Sequence, residues 1–203
     1  MIAGLAVVYG ARQSRSRLPR LLLPVTTIGY AAPGAVLAIG ILMPMAGFDN
    51  WFADRIEGLT GYDIGLLFTG SAAAVVFAYS VRFFAIAEGA ADSALGRVTP
   101  SMDMAARSLG RTAGQSLKEV HIPLIRGTML TAGLLVFVDA AKELPATLIL
   151  RPFNFDTLAT LVYAEASLEN LGNAAPAAIF VTLVGLLPVA ILARQKDAGW
   201  RQA

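Results

Sequence analysis

The residues able to do chemistry are the ionisable ones set in apolar surroundings. Asp139, Lys142 and Glu143 fall within VFVDAAKELPATLIL, a run otherwise suited to a membrane interior. An ionised group at that depth is costly and usually faces a bundle interior or a wet cavity. Asp139 and Lys142 are three residues apart, so on a helix they neutralise each other. Glu143, four residues beyond Asp139, shares that face and brings no positive charge. A cationic partner, or protonation of the surplus carboxylate, is therefore expected. The group reads in two ways. It is a pair that locks this helix to a neighbour or snorkels to the outer interface, or it lines a translocation path, with Pro145 breaking the helix where the path opens. Beyond this triplet little points to catalysis. The chain has no cysteine and one histidine, His121, so neither a disulfide nor a metal site of thiolate or paired imidazole is expected. No nucleophile triad, phosphate-binding glycine loop or zinc spacing is present. The expectation is a protein that is not an enzyme and carries no cofactor and no metal.

A second stretch stands out because it is polar between apolar neighbours: TPSMDMAARSLGRTAGQSLKEVHIP, residues 99–123. Thr99 suits an N-cap, Pro100 the first helical position, and Asp103 the positive end of a helix dipole. Gly110 sits where a helix C′ residue adopts a left-handed conformation. Thr112 opens a second helix, with Gln115 three residues on completing a capping box. Pro123 marks its end. The expected form is helix, glycine turn, helix. Ala105 and Ala106 leave one face of the first helix shallow, so that another protein's groove can approach closely.

The elements that position these residues must lie in a membrane. The chain is 56% hydrophobic and 15% charged, with a mean hydropathy of +0.64. Soluble domains run at about 45–50% apolar and about 25% charged. A net charge of +2 lends no support to nucleic-acid binding. Four stretches approach the roughly 20 apolar residues that a spanning helix needs: about 21–45, 64–87, 127–150 and 173–193. Residues 1–10 are apolar but too short to span. No basic residue precedes them as in a signal peptide, and they read as the tail of a helix that begins upstream. Pro33-Gly34 predicts a kink or local unwinding inside the first span. Gly70, Ala74 and Ala78 form a ridge of small residues for close helix contact. The outer loops are about 46–63 and 151–172, and Phe48, Trp51, Phe52 and Tyr62 in the first read as interfacial rings.

Orientation follows from Lys and Arg. With the 99–123 loop on the cytoplasmic side, that side holds twelve of them: Arg12, Arg15, Arg17, Arg20, Arg97, Arg107, Arg111, Lys118, Arg126, Arg194, Lys196 and Arg201. The opposite side holds only Arg55 and Arg151, while Arg82 and Lys142 fall within spans. Such an asymmetry follows the positive-inside rule and places both the loop and the C-terminus in the cytoplasm.

The loop also resembles a known pattern. Ala105-Ala106, three residues, Gly110, nine residues, then Val120-His121-Ile122-Pro123 is similar in spacing to the EAA loop of ABC importer permeases, the surface that docks on the ATPase subunit. The family glutamate falls on Met104, with Asp103 beside it. KELPATLILRPFNFDTLAT, residues 142–160, resembles the corresponding stretch of the ferric-iron permease group, whose chains have two similar halves. The resemblance implies an all-α polytopic transmembrane bundle of the type I ABC importer permease (MetI-like) fold. It would be a single permease domain over 1–203, similar to a C-terminal half, with four full spans plus a truncated N-terminal one. The coupling loop would run over about 88–126. It implies a subunit of the bacterial inner membrane that performs no chemistry. Closure of a separate ABC ATPase subunit would push on Asp103, Ala105, Ala106, Gly110, Val120, Ile122 and Pro123. Asp139, Lys142, Glu143 and Pro145 would be candidates for the translocation path. The implied partners are that ATPase, a periplasmic or lipid-anchored substrate-binding protein, a second permease half and membrane lipid, with no nucleic acid. Ferric iron is the implied cargo. Thiamine, phosphonate and sulfate permeases share much of the pattern, and a membrane scaffold without transport activity is the alternative of another class.

Overall fold

A computed structural model describes residues 1–14 and 18–200, with the side chains of Arg20, Pro100 and 192–200 left aside. Arg15, Arg17 and Arg201, and the side chains of Arg20, Arg194 and Lys196, all counted in the charge asymmetry, lie outside the described residues. Among the described residues every regular element is a helix. In order they are α1 (Ile2–Gln13), α2 (Leu18–Thr26), α3 (Ile28–Ala31), α4 (Gly34–Thr60), α5 (Ala72–Leu95), α6 (Pro100–Ser108), α7 (Ala113–Ser116), a π-helical segment (Leu117–His121), α8 (Ile122–Ala141), α9 (Pro145–Leu150), α10 (Leu158–Ser167) and α11 (Leu171–Trp200). Four helical stretches are long and apolar enough to cross a membrane: Gly34–Thr60, Ala72–Leu95, Ala113–Ala141 and Leu171–Ile191. The protein is an all-α, multi-pass membrane protein.

The span limits differ from those read off hydropathy, and each difference has a local cause. The first span starts at Gly34 rather than near residue 21. Pro33 (φ −56°, ψ 138°) is extended and ends the shorter apolar run Leu21–Ala31, so the expected kink is a complete break. The helix then continues to Thr60 and stops at Gly61, in the left-handed region at φ +73°. Residues 46–60 are therefore helix and not outer loop. Phe48, Trp51 and Phe52 lie on α4, with Phe48 stacked on Phe52 at 5.9 Å and the Arg55 guanidinium over the Trp51 ring at 5.5 Å. The second span is displaced to Ala72–Leu95 because residues 62–71 form a loop. Gly70 lies in that loop at φ +73°, so the small ridge on α5 keeps Ala74 and Ala78 only. The third span starts at Ala113 and ends at Ala141, before the charged triplet is complete.

Contacts divide the chain into two compact units, Met1–Tyr30 with Phe83–Val136, and Ala31–Arg82 with Phe137–Ala203. In the first, Val8, Ala91, Ala94, Leu95 and Ile125 form the core, with Leu5, Tyr9, Leu23, Val98 and Met129 packed around it. Gly4 lets α1 approach closely: a Cβ there would stand 2.8 Å from the backbone carbon of Ala87. Arg12 pairs with Asp92 at 2.8 Å and fixes the other end of α1. In the second unit the core is Ala38, Ala74, Val75, Ala78, Ala146 and Leu150. Four of those six are alanines. In lipid, helix association draws on close van der Waals contact rather than on water release, and small side chains permit it. Asp49, 1% exposed, ties the 62–71 loop down. Its carboxylate accepts the Phe68 N–H at 3.0 Å and the Thr69 N–H at 2.5 Å.

Candidate functional site

The polar loop forms as its residues imply. Thr99 occupies the N-cap position and Pro100 opens α6, but the Thr99 side chain makes no capping bond. Its hydroxyl pairs with Ser101 at 2.8 Å instead. Gly110 is left-handed, φ +77°. Gly110 N–H donates to the Arg107 carbonyl at 2.9 Å and Arg111 N–H to Ala106 at 3.1 Å. That pair of bonds is a Schellman C-terminus. Both bonds of the Thr112–Gln115 capping box are present, at 2.9 and 3.3 Å.

Pro123 does not end the second helix. The helix passes through Leu117–His121 as a π turn, in which the Ile122 N–H reaches back to Leu117, and it runs on to Ala141. A proline inside a helix removes one bond and crowds the carbonyl four residues before it. The wider π turn lies where that crowding falls, and so the helix survives.

Asp103 joins the two arms of the loop. Its Oδ1 accepts the Ser116 hydroxyl at 2.9 Å and lies 2.8 Å from His121 Nε2. Ser116 and His121 are 2% and 4% exposed. Burial pushes the Asp103 carboxyl up, but the hydrogen bonds from His121 and Ser116, with the Arg107 charge nearby, outweigh it and hold it below the ordinary carboxylate value. Tyr9 braces the other side, its hydroxyl on the Ala113 carbonyl at 2.8 Å and its ring meeting His121 edge-on at 5.5 Å. Arg107 donates to Gln13 at 3.4 Å. The exposed face of α6 carries Ser101, Met104, Ala105 and Ser108, while Ala106 turns inward. Met104, which stands where the family pattern has glutamate, is 62% exposed. Asp103 is instead engaged by Ser116 and His121 of the loop's second arm. Ile122 and Pro123 are exposed and Val120 is half-buried. His121 and Ser116 have roles in the loop that sequence reasoning missed. A histidine at an unspecified position of the pattern gave no signal, whereas its partner Asp103 did.

The charged triplet is divided between two arrangements. Lys142 and Asp139 pair at 2.8 Å, with Lys142 largely exposed. Because α8 ends at Ala141 and α9 opens at Pro145, Glu143 does not share Asp139's helical face. It lies in the break and takes the cation its charge called for. Arg82 Nε stands 3.3 Å from Glu143 Oε2, with side-chain exposures of 20% and 8%. The approach is an ion pair without hydrogen-bond alignment. Arg82 Nη1 also donates to the Ala32 carbonyl at 3.1 Å. Tyr79, Thr147 and Gly34 complete the surroundings and were not foreseen. The Tyr79 hydroxyl lies 2.5 Å from Thr147 Oγ1, and Thr147 Oγ1 donates to the Glu143 carbonyl at 2.9 Å. Among the described residues no three of His, Asp and Glu stand together as a metal site would require.

No family model matches the chain. It is similar to the Fe(3+)-transport system permease protein FbpB 2 of Haemophilus influenzae, 25% identical over 199 residues, which are 95% of this chain and 35% of the relative. It is also similar to the ferric transport system permease protein FbpB of Actinobacillus pleuropneumoniae, 26% identical over 144 residues, 70% of this chain and 20% of that one. A second Haemophilus influenzae protein, the putative ferric transport system permease protein FbpB 1, is 26% identical over 144 residues, 21% of its length. The chain thus spans about a third or less of the curated relatives it matches. With four helical stretches long and apolar enough to cross a membrane and a match over nearly its whole length, this chain is similar to the ferric-iron transport permeases.

Proposed function

We propose that the chain is part of the membrane-spanning permease of an ATP-driven importer, with ferric iron as cargo and the type I ABC permease fold. The observation that carries this is the similarity to ferric-iron permeases across 95% of the chain. The loop adds to it. A helix ending in a Schellman turn, buttressed by Asp103, Ser116 and His121, presents Met104 and Ala105 outward on a braced support. Such a rigid surface suits the transmission of force. In this reading an ABC ATPase subunit docks at Ala105, Gly110, Ile122 and Pro123 from the cytoplasm. A substrate-binding protein delivers iron from the other side, and a second permease half completes the pathway. The Asp139–Lys142 pair, with Lys142 exposed, is the candidate path lining. The chain itself performs no catalysis, and ATP is hydrolysed by the separate subunit.

The test is uptake of radiolabelled ferric iron by cells in which the gene carrying this chain is deleted and then restored. Loss and recovery of iron uptake alone is expected. Loss of thiamine, phosphonate or sulfate uptake with iron uptake intact would change the cargo. Normal uptake of all four would leave a membrane scaffold as the better reading.

A further inference from the structure

Arg82 lies near the middle of the 24-residue helix α5, so its partner Glu143 lies at membrane depth. Two helix breaks converge there. At the first, Pro33 interrupts the chain between α3 and α4; the α4 ladder takes up with Leu37 N–H on the Pro33 carbonyl, and the Ala32 carbonyl lies outside it. At the second, residues 142–144 separate α8 from α9. An unsatisfied backbone group at this depth has no water to turn to, so each break needs an outside partner. Arg82 Nη1 supplies the donor for Ala32. Glu143 Oε1 accepts the Ala146 N–H at the start of α9, at 3.4 Å. Its own carbonyl takes the Thr147 hydroxyl at 2.9 Å, and the Tyr79 hydroxyl, 2.5 Å from that Thr147 oxygen, closes the chain of hydroxyls.

The carboxylate is also boxed in. A Cβ on Gly34 would stand 2.6 Å from Glu143 Oε1 and 3.1 Å from Arg82 Nη1. A methyl group there would have to push the carboxylate or the guanidinium out of its place.

We propose that Arg82 and Glu143, seated on the bare Cα of Gly34, form an intramembrane latch that holds the α3–α4 break and the α8–α9 break together. Glu143 is then a positioning residue and not a ligand for cargo. Its charge is already neutralised, its burial leaves no approach for an ion, and both oxygens face protein. The geometry of the latch stands by itself. Its consequence for transport rests on the permease reading.

The two roles differ in how paired substitutions combine. Removing one partner of a buried ion pair strands the other charge, whereas removing both leaves no charge to strand. The experiment uses Arg82→Gln, Glu143→Gln, the double variant and Gly34→Ala in the complete permease. It measures the melting temperature of the purified protein in detergent and ferric-iron uptake in cells. Arg82→Gln and Glu143→Gln are each expected to melt several degrees lower and to lose most uptake, with Gly34→Ala shifted in the same direction by less. The double variant is expected to recover at least half of both losses. A Glu143→Gln protein that melts like the parent but does not transport, and that Arg82→Gln fails to rescue, overturns the latch and makes Glu143 a path residue. A double variant less stable than either single overturns it as well. Melting alone judges the latch if the parent itself does not transport iron, and that outcome would count against the permease reading only.

Discussion

Replacing Gly110 isolates the backbone requirement of the loop. Its φ is +77°, and a Cβ there would meet nothing within 4 Å. A side chain therefore costs conformational strain and no collision. For a residue with a Cβ the left-handed region costs about 1–2 kcal/mol, and a β-branched residue lies at or beyond the upper end. Asn visits this region readily and should cost clearly less than Val. The strain is relieved when the turn opens, which breaks the Arg111 N–H bond to Ala106, 3.1 Å in length. A free-energy change of about 1–2 kcal/mol shifts an equilibrium about 5- to 30-fold. Amide exchange at Arg111 should accelerate by that factor in Gly110→Val, when measured by hydrogen–deuterium exchange on the purified protein. If a closed turn is what the ATPase subunit binds, its affinity should fall by the same factor in a co-purification titration. The order expected is Gly, then Asn, then Ala, then Val. Gly114→Ala is the control. It is helical, has open space at its Cβ, and should leave exchange at Arg111 unchanged. Equal exchange in Gly110→Val and the parent would refute the argument. Equal loss in Asn and Val would show that φ is not the cause.

Other consequences can be read from single contacts. Asp103 has a carboxyl held below its ordinary value in the folded protein, so its contribution is present above the unfolded value and disappears as pH falls through the folded one. The stability gap between the parent and Asp103→Asn, measured by thermal melting, should be widest near neutral pH and close below about pH 4. A gap that widens toward acid would contradict that assignment. Asp49→Asn gives up one of the two acceptor oxygens that hold Phe68 and Thr69. A loss of about 1–3 kcal/mol is expected, together with faster amide exchange confined to residues 67–69. Ala78 is 1% exposed in an alanine-lined core, so Ala78→Leu should overpack it by about 1–3 kcal/mol, visible as a lowered melting temperature. Ala105→Leu lies on the exposed face of α6. It should leave melting unchanged while reducing ATPase association, and intact association would remove Ala105 from the docking surface.

Local chemistry was legible where a residue acts on its own neighbours. The left-handed Gly110, the Thr112–Gln115 box and the break at Pro33 all depend on interactions within a few residues, and each is present. Pro123 was misread because proline acts within the helix that contains it. A π turn six to two residues upstream relieves the crowding, and nothing in LKEVH announces that geometry. Hydropathy placed the spans but not their ends, since Gly61 and Pro33 rather than polarity set the limits of α4. The site shows the same division. Counting charges in one stretch called for a cation or a proton on the surplus carboxylate, and a cation, Arg82, stands beside Glu143. Finding the cation meant knowing which helix lies against the break, a matter of tertiary packing. Even so, Arg82 was the single basic residue in its span. A lone intramembrane cation and a surplus intramembrane anion each cost too much to remain apart. Charge balance across spans can therefore name a helix contact that periodicity cannot. Gly34 completes that reasoning: a glycine just after a proline break reads as a permissive backbone, yet here the demand is for space, because the oxygen of a distant carboxylate rests where its side chain would be.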